Sequence, residues 1–292
     1  MEITCPVCSR QTTARPLVPA AHPSHRYLLC DGCGTGHLEH APERPEDLYT
    51  EDYFVEGGEL AGYVDYEADE RWHRINARAR LRRLHHALGL AHIPGRLVEV
   101  GSATGFFLDV AREAGWQTHG VEASTWAARR ARDKGHDVTD QLATLDVDPV
   151  DAVCFFQVLE HMPDPAGALR EAARRLRPGG VVLCETWDVN SATARRAGAR
   201  WQQLSPPSVL WLFNRDAMSH LARETGLEMV NWRTTTKWVS VATVLGQSVP
   251  IVGRGRAGRA LRTAGRWAAV RYPLDDLVTF TLVKRDMSRS AD

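Results

Sequence analysis

Between residues 97 and 186 the chain alternates short apolar runs with stretches of helical period, and no other feature constrains its fold as strongly. Residues 97–101, 117–122, 150–157 and 181–186 read as strands. Residues 104–115, 124–135 and 165–176 read as helices, with Ser124 as an N-cap and Arg177-Pro178-Gly179-Gly180 as a terminator. Strands that are apolar on both faces and joined through helices call for a parallel sheet covered on both sides. The right-handed crossover rule then gives a doubly wound α/β sandwich. Further on, 216–226 reads as a helix, and 227–236 and 277–284 as strands. Upstream, 68–90 has helical period with Trp72, Ile75, Ala79 and Leu84 on one face, and Gly89 and Pro94-Gly95 break it.

The N-terminal region has a different constraint. Cys5-Pro6-Val7-Cys8 and Cys30-Asp31-Gly32-Cys33 are two CxxC pairs, and they hold four of the six cysteines. Two such turns can close a tetrahedral four-thiolate site, with Gly32 and Gly34 easing the backbone. The expected occupant is a structural Zn²⁺, with iron as the alternative, and Cys5, Cys8, Cys30 and Cys33 are the ligands. A closed site of this kind stabilises a fold and leaves no position open for chemistry. His22, His25 and His37 read as surface residues or as partners around the ligands, and Cys154 and Cys184, in apolar runs, as core.

Net charge is zero, with 36 basic and 36 acidic residues, which speaks against a protein that coats nucleic acid through net charge. The zero is an average of unlike parts. Residues 43–70 carry eleven Asp/Glu and one Arg, whereas 251–271 carry six Arg and no acid. No run of 18 apolar residues suggests a membrane span and no apolar leader is visible at Met1, so the expected location is the cytoplasm. Segment 251–271, with Leu261, Ala264, Trp267 and Ala268 at helical spacing, reads either as a solvated helix or as a peripheral contact with an anionic inner-membrane face or a pyrophosphate-bearing acceptor.

In open α/β sheets ligands sit at the carboxyl ends of the strands. There Val98-Glu99-Val100-Gly101-Ser102-Ala103-Thr104-Gly105 ends a strand in a turn of small residues that opens a helix. Gly101 and Gly105 permit a tight turn, and the helix start offers free N–H groups. The run lacks the G-x-G-x-x-G of a pyrophosphate cradle. At the next strand end stands Glu122, a carboxylate suited to the two hydroxyls of an unphosphorylated ribose. His161, after the run 150–157, is a candidate general base or else a residue that fixes the loop before Pro163.

These residues resemble the class I S-adenosylmethionine-dependent methyltransferases. Glu99-x-Gly101-x-Ala103-x-Gly105 is similar to their E/D-x-G-x-G-x-G motif, with Ala103 in place of the middle glycine. Glu122 is similar to their ribose-binding acid, Val158-Leu159-Glu160-His161 to the ending of the fourth strand, and Leu176-Arg177-Pro178-Gly179-Gly180 to the turn before the fifth. The resemblance implies a Rossmann-like sheet. It also implies a donor site of Glu99, Gly101, Ser102, Ala103, Thr104, Gly105, Glu122, Ala123 and Gln157, with His161 and Glu160 as catalytic candidates. In some relatives an E-x-x-E-H run binds a divalent metal. Gln157 removes one carboxylate here, so no catalytic Mg²⁺ is expected.

Joined to the CxxC pairs and the Tyr-bearing linker, this core resembles bacterial enzymes that methylate sugars, glycans and specialised metabolites. Trp201-x-x-x-x-Pro206-x-Ser208 is similar to a segment of that group in which His is usual at the Ser208 position. The implied organisation is a zinc-ribbon-like module at 1–40, an acidic and helical linker and donor-site lid at 41–92, and the methyltransferase domain at 93–292. Tyr63 and Tyr66 are candidate lid residues, and the tryptophans between 187 and 238 read as packing or as an acceptor-pocket lining. The expected reaction is O-methylation of a small-molecule or glycan acceptor. An RNA base methyltransferase is the alternative, which the acidic linker counts against, and a non-catalytic binding protein is a third reading.

Overall fold

A computed structural model describes residues 1–55, 65–89, 94–147, 149–248, 265 and 267–285. Tyr63, and residues 251–264 and 266 of the Arg-rich segment, lie outside the described residues.

The chain opens with strands β1 (Glu2–Thr4), β2 (Gln11–Leu17), β3 (Tyr27–Cys30) and β4 (Gly36–Leu38), paired antiparallel in that order. The short helix α1 (Glu51–Val55) and the long α2 (Glu70–Leu88) follow. Then come β5 (Arg96–Val100), α3 (Phe106–Glu113), β6 (Gln117–Val121), α4 (Thr125–Asp133), β7 (Asp137–Thr139), β8 (Val150–Phe156), α5 (Pro165–Arg175) and β9 (Leu176–Trp187). The remainder comprises α6 (Ala192–Ala197), β10 (Trp211–Leu212), α7 (Arg215–Glu224), β11 (Leu227–Thr234), β12 (Trp238–Ser240), α8 (Val241–Ser248), β13 (Ala269–Arg271) and β14 (Leu277–Lys284).

The central sheet has the order β11-β14-β9-β8-β5-β6-β7. Strands β5 to β9 are parallel, while β14 and β11 add antiparallel. This is the doubly wound, Rossmann-like sheet that the alternation predicts, extended at one edge by two antiparallel strands. The chain leaves β5 towards β6 and β7, then returns to β8 and β9 on the other side. The topological switch point therefore lies between β5 and β8. One face buries Leu81, Leu84, Phe107, Leu108 and Trp116 from α2, α3 and the turn after α3. The other buries Leu169, Met218 and Leu221 from α5 and α7. Each such side chain contributes roughly 1.5–3 kcal/mol. Cys154 and Cys184 are core, as their apolar runs suggest.

Three local expectations are corrected. The inner face of α2 is Ala77, Leu81 and Leu84, whereas Trp72, Ile75 and Ala79 are only half-buried. The helix is turned because Arg80 points inward to the buried Glu185 carboxylate, 2.7 Å away. The Pro178-Gly179-Gly180 turn is taken up into β9, which starts directly after α5; the ladder to β8 shifts register between Val150 and Ala152 to admit it. Of Gly32 and Gly34, only Gly34 adopts a positive φ.

The N-terminal sheet is completed from far along the chain. Strand β10 pairs antiparallel with β4, matching Trp211 to His37. The Tyr27 hydroxyl donates to the Val209 carbonyl (2.7 Å), and Asn214 Nδ2 donates to the Cys33 carbonyl (2.9 Å). Among the described residues no helix is long and apolar enough to cross a membrane.

Candidate active site

The loop between β5 and α3 is shaped by close approaches. Gly101 has φ +71°, and a Cβ there would fall 2.3 Å from the Val158 side chain. Gly105 has φ +88°, and a Cβ there would meet the His136 ring at 2.7 Å. Ala103, the departure from the glycine pattern, nevertheless holds φ +46°, a conformation that costs an L-residue about 1–2 kcal/mol. Glu122 offsets part of that cost. Its Oε2 accepts the Ala103 N–H and its Oε1 the Ser124 N–H, each at 2.8 Å. Burial raises the Glu122 pKa, while the backbone N–H groups of Ser124, Ala103 and Ala123 pull it down. Glu122 thus fixes the turn and keeps spare lone pairs for hydroxyl donors.

Two polar groups here have no hydrogen-bond partner among the described residues, the Ser102 hydroxyl and Glu99 Oε2. Both residues are buried, and burial holds the Glu99 carboxyl well above the usual range. Orphaned buried donors and acceptors are costly, and they mark places where a ligand completes the bonding. Phe106 begins α3 and stacks on His73 (5.4 Å) and Tyr66 (5.7 Å), so residues from the start of α2 close one side of the loop. Lys134 donates to the Thr104 carbonyl (3.0 Å) and lies 4.0 Å over the Phe106 ring.

Across the switch point, Gln157 takes a left-handed conformation (φ +60°) and bonds its N–H to the Glu185 carbonyl (2.7 Å). Its Oε1 accepts a hydrogen bond from Lys237 Nζ at 2.8 Å. Burial lowers the Lys237 pKa to about 8, against the support of Glu185 and Glu160. Burial alone would raise Glu185, but Arg80 and Arg83 hold it below its ordinary range.

His161 Nδ1 lies 2.7 Å from the Ser208 carbonyl oxygen. A carbonyl only accepts, so Nδ1 carries the proton and Nε2 keeps its lone pair. Burial lowers the His161 pKa, which keeps the ring neutral at neutral pH. The Ser208 position therefore engages His161 through its backbone, whatever side chain stands there. The Tyr49 ring meets His161 edge-on at 6.1 Å, and its hydroxyl is buried without a partner among the described residues. Burial, together with the facing Glu160 and Glu122 carboxylates, pushes the Tyr49 pKa up.

Glu160 is 1% exposed, and the Thr186 hydroxyl beside its carboxyl offsets only part of the burial. Burial pushes its pKa from 4.5 up to about 7. The folded state therefore holds a proton that the unfolded state has lost between about pH 4.5 and pH 7. Stability falls as pH rises through that window. Glu160→Gln is expected to remove the loss, up to about 3 kcal/mol. Its melting temperature should exceed that of the wild type at pH 8 and match it near pH 4.5; equal melting curves at both pH values would refute the assignment.

The sequence reading missed Lys237 and Tyr49. Lys237 carries a usable signal, because it is one of only three lysines in a chain rich in arginine. The tryptophans divide by role. Trp201 Nε1 bonds Asp276 (2.8 Å), Trp211 Nε1 bonds the Met162 carbonyl (2.8 Å) and Trp232 stacks on Phe280, so these three pack. Trp187 lies 5.0 Å from Lys237 Nζ and borders the site. Tyr66 faces the loop through Phe106.

The four N-terminal cysteines meet with all ligand atoms within 4.8 Å of one another. Cys5 and Cys33 sulfurs are 3.7 Å apart, and Cys8 and Cys30 sulfurs 3.9 Å. Tetrahedral Zn–S bonds of about 2.3 Å give an edge of about 3.8 Å, so the thiol set fits zinc.

Comparison with known proteins agrees with this geometry. The profile of a methyltransferase-domain family matches residues 71–231, just over half of the chain. The ubiquinone biosynthesis O-methyltransferase of Alkalilimnicola ehrlichii is 30% identical over 156 residues, covering 45% of this chain and 63% of that protein. The protein of the same name from Cupriavidus pinatubonensis is 28% identical over 165 residues, covering 51% of this chain and 66% of that protein. The chain thus spans less than two thirds of the length of these relatives. A candidate methyltransferase of Bacillus halodurans shares the fold, with TM-score 0.51 at 12% identity, over 73% of this chain and 100% of that one.

Proposed function

The chain belongs to the methyltransferase-domain family, and on that premise we propose that it is an S-adenosylmethionine-dependent methyltransferase acting on a hydroxyl of a sugar, glycan or specialised metabolite. O-methylation is supported by the relatives named O-methyltransferases. The sugar or metabolite class rests on the arrangement of cysteine module, linker and core.

Bound S-adenosylmethionine supplies a methyl group already activated on a sulfonium. The protein has to hold the donor, align the acceptor and take up one proton. Glu122 would accept the ribose hydroxyls, and the backbone and side chains of Glu99, Gly101, Ser102, Ala103, Thr104, Gly105 and Ala123 would line the donor. The unpartnered Ser102 hydroxyl and Glu99 carboxyl are the observation that supports this placement. Gln157, held by Lys237, would orient the donor from the opposite side.

His161 is the proposed base, and the observation that carries the role is its fixed neutral tautomer. The Ser208 carbonyl holds the Nδ1 proton, so Nε2 can receive the acceptor proton without the ring turning. The Tyr49 hydroxyl, whose ring lies against His161, would bond the acceptor oxygen. Glu160 positions the His161 loop, since its backbone carbonyl accepts from Leu210 N–H at 2.9 Å. His161→Ala is expected to lower kcat by about 10²–10⁴ with the S-adenosylmethionine Kd unchanged. Unaltered turnover would remove the base assignment.

Lys237 adds a pH signature. Its charged form holds Gln157, and with a pKa of about 8 it loses the proton on the alkaline side of neutrality. The profile of kcat/KM is therefore expected to fall above about pH 8, and Lys237→Met to be slower and to lack that limb. A variant that keeps the same alkaline limb would show that another group causes it.

We further propose that Cys5, Cys8, Cys30 and Cys33 hold a structural Zn²⁺. Its contribution would be to fix the CxxC turns against β10 and the start of α7, with no part in methyl transfer.

A further inference from the structure

We propose that a cleft on the flank of the sheet, between α2 and the antiparallel strands β11 and β14, binds a phosphate or diphosphate group. It is separate from the residues proposed for the donor and the base.

The cleft measures about 460 Å³, within the range of small-ligand sites. Arg82 and Arg83 reach it from α2, Arg233 from β11 and Arg271 from β13. None of the lining residues is Asp or Glu. Arg83 lies 3.6 Å from Glu185, which Arg80 already engages. Arg271 bonds the neutral Thr236 hydroxyl (2.9 Å), and among the described residues neither it nor Arg82 nor Arg233 has an acidic partner. Like charges gathered without counter-ions cost stability, and a bound anion removes that cost.

The second observation is independent of charge. Thr235 and Thr279 line the same cleft, each is 6% exposed, and neither hydroxyl has a hydrogen-bond partner among the described residues. A buried hydroxyl left unmade costs roughly 1–3 kcal/mol. Two of them beside a guanidinium cluster form a donor set for a tetrahedral oxyanion, since hydroxyls and guanidinium forks are its usual partners. Such a group could be free or belong to a larger molecule such as a nucleoside-diphosphate sugar, and the chemistry of recognition is the same.

Calorimetry on the full chain, with inorganic phosphate, inorganic diphosphate and UDP-glucose as separate probes, tests the assignment. Each probe is matched by chloride at equal ionic strength. Saturable binding of diphosphate is expected, weakened at least about tenfold by the double variant Arg82→Gln/Arg233→Gln, with S-adenosylmethionine affinity unchanged. Both side chains are exposed, so the fold is not at stake. Thr279→Val should raise the melting temperature without anion and abolish the rise that diphosphate gives. Tighter binding of UDP-glucose than of diphosphate would assign the cleft to a phosphate-bearing ligand, and equal affinity to free diphosphate. Absence of saturable binding, or binding that the arginine variant leaves intact, would overturn the proposal.

Discussion

Glu122→Ala is expected to weaken S-adenosylmethionine binding by at least about a hundredfold. Hydrogen bonds to a charged group contribute roughly 1.5–3 kcal/mol each, and two ribose hydroxyls are at stake. The carboxylate also has an internal task, because it accepts the N–H groups of Ala103 and Ser124. Without it, Ala103 keeps a left-handed backbone with nothing to hold it, and the loop that cradles the donor loosens. Glu122→Gln is a sharper probe. It preserves size but turns an NH₂ donor towards one of the two backbone N–H donors. Titration calorimetry with S-adenosylmethionine checks both variants, with far-ultraviolet circular dichroism to confirm the fold. Wild-type affinity in Glu122→Ala would place the ribose elsewhere.

Loss of the proposed zinc is expected to have the second large effect, and a selective one. Apparent zinc binding to four thiolates is worth on the order of 10 kcal/mol, comparable with the whole stability of a domain. Strong chelation, or Cys30→Ser, should therefore unfold strands β1 to β4 and lower the melting temperature by many degrees. The consequence for catalysis follows from the chain path. Cys33 is tied to Asn214, whose Oδ1 caps α7, and Tyr27 is tied to Val209. The same segment supplies Leu210 N–H to Glu160 and the Ser208 carbonyl to His161. Unfolding the module should loosen the proposed base while β5 and β6 keep their hold on the donor. Turnover is expected to collapse with S-adenosylmethionine affinity largely retained. Full turnover in metal-free protein would separate the module from the site.

Strands β5, β8 and β9 were legible because they are apolar on both faces, and β6 from the helices that flank it, whereas β7, three residues long, escaped the pattern. The loop between β5 and α3 was legible because strand, small-residue turn and helix start are written within nine consecutive residues. What escaped the sequence reading depends on distant pairings. The inner face of α2 was misplaced because a buried ion pair, Arg80 with Glu185, turns a charged residue inward where periodicity puts an apolar one. The turn at Pro178-Gly179-Gly180 became strand because β8 absorbs it with a register shift. Strand β10 is too short to be recognised by pattern and exists because β4 lacks another partner on that edge. Lys237 and Tyr49 lie some 80 and 108 residues along the chain from Gln157, and no local motif links them to it.

Transfer of a trideuteriomethyl group from labelled S-adenosylmethionine to a panel of hydroxylated sugars and metabolites, with mass spectrometry to locate the label, tests the account most directly. The account predicts label on an acceptor oxygen, formed by wild type and lost in His161→Ala while the donor still binds. Label on carbon or nitrogen, or equal transfer by the His161 variant, would contradict it.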